Sequence, residues 1–287
     1  MSHSVCLVIG DDPETLLAPF SENIDLEPYR KYETGGITDF WAYKILMEKE
    51  LIQEGCTWGE LCAAYNVRYG GENFMYFDDE LDRMYELSTY NTKSKWDWYQ
   101  LGGRWSDYFL TFPTANRPSR RVDQARKSTI DWATMRQSAK DEAYAQYAEV
   151  MSVLTPHLPM LPWSHFLTKH SVALEPNNID VARKEYHAQS GKQALFAANI
   201  HVFGDPVTEF YLNEPNGADI YAEQIAVSQT TPFAILTSDG EWHEKGGMGW
   251  FGMVANEQES DVWTPKVREL ITAAPDDALF SIYDLHI

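Results

Sequence analysis

The segment KWDWYQLGGRW, residues 95–105, gathers three of the chain's ten tryptophans, Trp96, Trp98 and Trp105, with Asp97, Tyr99, Gln100, Arg104 and the pair Gly102-Gly103. These residue types suit recognition of an anion. A guanidinium is a planar fork matched to a carboxylate or phosphate, and it stacks on indoles. A Gln amide orients what the fork holds. In an extended chain Trp96, Trp98 and Gln100 point one way while Asp97, Tyr99 and Leu101 point the other, so both faces mix polar and aromatic groups. The two glycines permit backbone conformations closed to other residues. The competing reading is a tryptophan-rich corner of the core with Arg104 paired to Asp97, since a buried Arg is generally paired.

A second box, EWHEKGGMGWFG at 241–252, repeats the recipe with Trp242, His243, Trp250 and four glycines between positions 246 and 252. His243 titrates near neutral pH if unperturbed. The glycine order is not GxGxxG, and no GK[ST] phosphate loop occurs, so no nucleotide cofactor is expected, nor any other. At the C-terminus Asp284 and His286 share strand parity. With His243 they would form an imidazole–carboxylate set suited to several divalent ions. Without HExxH or zinc-finger spacing, no metal is expected. No GxSxG elbow or cysteine-protease signature assigns a catalytic residue. The two boxes are expected to form one wall of a single cleft, with Trp96, Asp97, Trp98, Gln100, Arg104, Trp105, Trp242, His243 and Trp250 as its ligand-binding residues.

The elements that would position these boxes are clearest at the ends of the chain. SVCLVIG (4–10) is a short apolar run that reads as a buried strand. Asp12 and Pro13 then open a short helix. Near the other end, TPFAILTSDGEWHEKG (231–246) has two extended arms around Asp-Gly, a hairpin signal. DVWTPKVRELITAAP (261–275) puts Trp263, Val267, Leu270 and Ile271 on one helical face, and ALFSIYDLHI (278–287) reads as a last strand. The order β-α…β-β-α-β predicts an α+β fold with a ferredoxin-like split β-α-β sheet built from the terminal segments. Residues 1–30 with 225–287 would form that core. Residues 31–224 would be a large, mostly helical insertion carrying the first box. Inside it, helices are predicted at 37–55, at 57–71 behind a Thr57/Glu60 capping box, at 128–154, and at 179–199 with a break at Gly191. Short strands are expected in FMYF and MYELSTY, and an extended segment at 200–212.

Charge and cysteine content narrow the partners. The chain of 287 residues carries 43 Asp and Glu against 23 Lys and Arg, a net charge of −20. Such a surface repels nucleic acid and anionic membranes and favours basic partners. Residues 115–140 are the exception, with seven basic residues against two acidic. That segment is either an anion-binding stretch, the one place for nucleic acid, or a helix face paired with acidic neighbours. Cys6, Cys56 and Cys62 form an odd set without CxxC, so neither a disulfide framework nor a zinc finger is expected, and Cys6 reads as core. No signal-peptide pattern and no apolar run of ~20 residues occur, which leads to the expectation of a soluble cytoplasmic protein without membrane contact.

In YNTKSKWDWYQLGGRW, DQARKSTIDW (123–132) and DGEWHEKGGMGWFG (239–252) the chain resembles an uncharacterised protein family of bacteriophages and actinobacteria. The resemblance implies a phage or prophage origin, an accessory role in the host cytoplasm, and one module uniting the three boxes. It assigns no role to any residue. Two functions are therefore expected. One is a phage-type accessory protein whose acidic surface engages the basic face of a host nucleic-acid-handling or defence protein. The alternative is an enzyme or small-ligand binder taking an anionic molecule in a cleft lined by Trp98, Gln100, Arg104, Trp242, His243 and Asp284.

Overall fold

The computed structural model describes residues 2–71, 74–200, 214–249 and 253–286. The chain divides into two compact units, residues 1–16 with 99–286, and residues 17–98. The first box is thus cut between Trp98 and Tyr99. Strand β1 (His3–Ile9) opens the larger unit and leads into α1 (Pro13–Leu17). The smaller unit contains β2 (Tyr29–Tyr32), α2 (Tyr43–Glu48), α3 (Trp58–Tyr69), β3 (Tyr76–Asp78) and β4 (Arg83–Ser88). Next come β5 (Trp98–Leu101), the paired β6 (Phe109–Leu110) and β7 (Arg121–Val122), and β8 (Gln124–Arg126). The long α4 (Trp132–Leu154) is followed by α5 (Trp163–Lys169), α6 (Ile179–His187), α7 (Ser190–Ala197) and α8 (Gly217–Thr230). The chain then runs through β9 (Ala234–Leu236), β10 (Trp242–Glu244), β11 (Gly247–Met248), β12 (Val254–Ala255), α9 (Ser260–Ala273) and β13 (Leu279–His286).

The two ends of the chain share one sheet, as their apolar runs require. β13 lies antiparallel to β1 from His3↔His286 to Ile9↔Phe280. The Asp-Gly hairpin forms β9 and β10, with Gly240 at φ +82°. The order is β10-β9-β1-β13, and the outer edge of β13 carries both β8 and β5. This corrects the split arrangement, which would insert a strand between β1 and the strand parallel to it. Here β9 pairs directly with β1, in parallel, through Cys6↔Ala234 to Val8↔Leu236. Strand order is decided by which edges meet, and hydrophobic runs do not encode it.

β1 is central and buried on both faces, which is why it reads as a continuous apolar run. Leu7, Ile9, Ile235, Phe280 and Ile282 pack with Trp263 and Val267 of α9, with Leu270 and Ile271 alongside. The helix thus buries the face its periodicity marked. α4 and α8 pack through Ala143, Val150, Leu154, Tyr221 and Ala222. Asp131 caps α4 by accepting the Thr134 amide at 3.0 Å, so the helix begins at Trp132, not at 128. The break between α6 and α7 precedes Gly191. That glycine sits inside α7, where a Cβ would meet the Met160 sulfur at 2.2 Å. The extended segment expected at 200–212 lies, beyond Ile200, outside the described residues.

The smaller unit is a three-stranded antiparallel sheet, β2-β4-β3. α3 packs on one face through Leu61, Cys62 and Tyr65 against Met84 and Phe77. The Thr57/Glu60 capping box forms at both ends, with the Glu60 amide on Thr57 Oγ1 and the Thr57 amide on Glu60 Oε2. The helix expected at 37–55 is only a 3-10 turn and the six-residue α2. Glu50 at φ +55° follows it. Among the described residues no helix is long and apolar enough to cross a membrane.

Candidate anion site

The site lies where the first box leaves β5 and crosses the outer edge of β13. Gly102 and Gly103 have φ of +68° and +54°, a pair of left-handed residues that only glycine adopts without strain. Space demands glycine as well. A Cβ on Gly103 would come within 2.4 Å of the Asp284 Cβ, and one on Gly102 within 2.5 Å of the Asp123 carboxylate. Those two carboxylates grip the loop. Asp284 is 2% exposed. It accepts the Arg104 amide at 3.1 Å and lies 2.7 Å from His3 Nδ1. Asp123 accepts the Asp107 amide at 2.6 Å. Asp107 takes φ +63°, a strained conformation for a non-glycine residue.

So fixed, the loop presents Arg104, Trp105, Asp107 and Tyr108 to a cavity of about 330 Å³. Arg121 of β7, Val5, Met135 and residues 228–231 at the end of α8 complete the lining. The guanidinium of Arg104 has no ion pair and no hydrogen bond among the described residues. Arg104 is an exposed residue. Arg121 donates to the Asp107 carbonyl at 3.3 Å and likewise has no carboxylate partner among the described residues. Asp107 is the single acidic residue of the lining. The Tyr108 hydroxyl is buried and has no hydrogen-bond partner among the described residues. Burial pushes its pKa up, so it stays protonated and can donate. An unpartnered buried hydroxyl costs on the order of 1–3 kcal/mol, and such a group calls for a ligand or an explanation.

The remaining expected site residues go elsewhere. Trp96 is buried and donates its indole N–H to the Leu17 carbonyl at 3.2 Å, and the Asp97 carbonyl takes the Asn23 amide at 2.9 Å. Both serve packing in the smaller unit. Trp98 is half exposed and Gln100 exposed, both on β5. Trp242 donates to Glu244 at 2.8 Å, and His243 Nε2 lies 3.6 Å from Glu241. Trp250 lies outside the described residues. The shared cleft is not formed. β10 and β5 are opposite edges of the sheet, with β9, β1 and β13 between them, roughly 19 Å at ordinary strand spacing.

Asp284 and His286 do share a face, but the imidazole they meet belongs to His3, whose ring lies 4.9 Å from that of His286. His243 aligns with Ile235, two strands from β13. Among the described residues no three His, Cys, Asp or Glu side chains group as a metal site.

The basic segment splits in two. Arg126 pairs with Asp11, Lys127 with Asp276, and Arg136 and Lys140 with Glu223. Lys127 also donates to the Thr272 and Ala274 carbonyls that end α9. These four are the paired face. Arg121 turns to the cavity instead. Sequence reasoning missed Tyr108 and the α8 wall. Tyr108 sits in an apolar-aromatic stretch, where only tertiary contacts reveal an unpartnered hydroxyl. No family model, curated protein or solved structure matches this chain.

Proposed function

We propose that the protein binds a small anion, a phosphate or carboxylate carried on a compact molecule, between Arg104 and Arg121. The observation that carries this is that two arginines without carboxylate partners among the described residues line one cavity in a chain of net charge −20. Arg126, Arg136 and Lys140, from the same basic segment, are instead paired with carboxylates. A cavity near 330 Å³ is at the small end of ligand pockets. Trp105 supplies a flat apolar wall. Residues Ser228, Gln229, Thr230 and Thr231 offer hydroxyl and amide groups to the uncharged part of the ligand.

Calorimetric titration with phosphate, sulfate, acetate, citrate and simple phosphomonoesters tests this. Saturable binding of at least one anion is expected. In Arg104→Ala and Arg121→Ala it should weaken by about tenfold or more each, since a hydrogen bond to a charged group contributes ~1.5–3 kcal/mol. Thermal stability of both variants should stay within about 1 kcal/mol, because neither guanidinium holds the fold. Absence of anion binding, or binding indifferent to both variants, sinks the proposal.

A further inference from the structure

The smaller unit leaves one face of its sheet to solvent, and that face is aromatic. Register puts Tyr32, Tyr85 and Tyr76 side by side across β2, β4 and β3. Their ring centroids are 5.4 and 5.3 Å apart, the second pair stacked at 19°. Phe74 extends the row, edge-on to Tyr76 at 5.1 Å. Phe74, Tyr76 and Leu87 are 47%, 38% and 53% exposed. Contiguous exposed apolar surface of this kind marks an interaction site.

The adjoining β3–β4 turn reads Asp78, Asp79, Glu80, Leu81, Asp82. Asp78 is engaged by Arg30 and by the Tyr32 hydroxyl, each at 2.7 Å. Asp79, Glu80 and Asp82 are exposed and carry no ion pair among the described residues. The same face already holds one guanidinium: Arg30 lies 4.8 Å over the Tyr85 ring while Asp78 takes its Nη1.

We propose that this face docks an arginine-bearing basic segment of a partner protein. Its guanidinium would stack on Tyr76 and Phe74, as Arg30 stacks on Tyr85, with Asp79, Glu80 and Asp82 neutralising the segment. The chemistry selects arginine over lysine, because a planar guanidinium stacks on rings and an ammonium does not. The carboxylates exclude nucleic acid, although aromatic rows on sheets also suit bases.

The full chain is titrated with a fluorescent Gly/Ser-spaced hexa-arginine peptide, its hexa-lysine counterpart, a single-stranded oligonucleotide and a neutral oligosaccharide. The arginine peptide should bind more tightly than the lysine peptide. Tyr76→Ala with Phe74→Ala should weaken it by about fivefold or more. Asp79→Asn with Glu80→Gln and Asp82→Asn should weaken both peptides equally. Anion titration of the ring and carboxylate variants, each with Arg104 and Arg121 intact, serves as the control and should match the unsubstituted chain. Equal binding of both peptides, insensitivity to the ring variants, or preference for the oligonucleotide or the oligosaccharide overturns the proposal. A double ring variant that fails to fold is replaced by Tyr76→Leu, which keeps an apolar side chain and removes the ring.

Discussion

Tyr108 keeps a buried hydroxyl without a partner among the described residues, and this single atom separates stability from binding. Tyr108→Phe removes the unsatisfied group and should raise stability by about 1 kcal/mol, read as a higher midpoint in denaturant melts. The same change should leave anion binding unaltered, read by calorimetry, because the hydroxyl is shielded from the cavity. A loss of stability would show that the hydroxyl serves the fold. Gly103 and Gly240 offer a second contrast. Both have positive φ, so alanine costs about 1–2 kcal/mol of conformational strain at either. A Cβ on Gly240 meets nothing within 4 Å, whereas one on Gly103 meets the Asp284 Cβ at 2.4 Å. Gly103→Ala should therefore cost clearly more than Gly240→Ala in thermal melts and should also disturb the anion site.

At the scale of elements, α3 depends on its first turn. The Thr57 amide and hydroxyl hold the Glu60 carboxyl below its usual range. A carboxylate with a depressed folded pKa contributes stability above its unfolded value near 4.3, and loses it as pH falls through the folded value. Thr57→Ala removes the hydroxyl that the Glu60 amide uses and should cost about 1 kcal/mol at neutral pH. The difference between wild type and Thr57→Ala should shrink below about pH 4 as Glu60 protonates, in melts collected across pH. A difference that grows on acidification would contradict the capping account. α8 and the β6–β7 pair matter for another reason. They bring residues 228–231 and Arg121 to a loop that begins more than 100 positions before α8.

For the whole molecule, the net charge of −20 predicts opposite responses to salt. Self-repulsion of so many carboxylates is screened as ionic strength rises. The melting temperature should therefore climb between low and physiological salt. Anion affinity should fall over the same range, because salt screens the two guanidiniums and competes for them. A titration series and a melt series in the same buffers test both. If melting temperature and affinity moved together, binding would be coupled to folding and not to the local field of Arg104 and Arg121.

Burial and local backbone chemistry were legible in the residues themselves. A continuous apolar run such as SVCLVIG has to sit in the middle of a sheet, Asp-Gly between extended arms has to turn, and Thr57 with Glu60 has to begin a helix. The glycine pair ahead of Arg104 and Trp105 was legible for a similar reason, since both Gly102 and Gly103 take positive φ. Edge pairing was not legible. Nothing in the period of a strand says whether β9 or β10 takes the free edge of β1. That choice put the second box, with Trp242 and His243, on the far edge of the sheet, while the β1–β13 register put His3 beside Asp284. The buried hydroxyl of Tyr108, without a partner among the described residues, and the bond from Arg121 to the Asp107 carbonyl were likewise decided in three dimensions. Whether a polar group finds a partner depends on every segment that packs around it, and no stretch of sequence contains all of them.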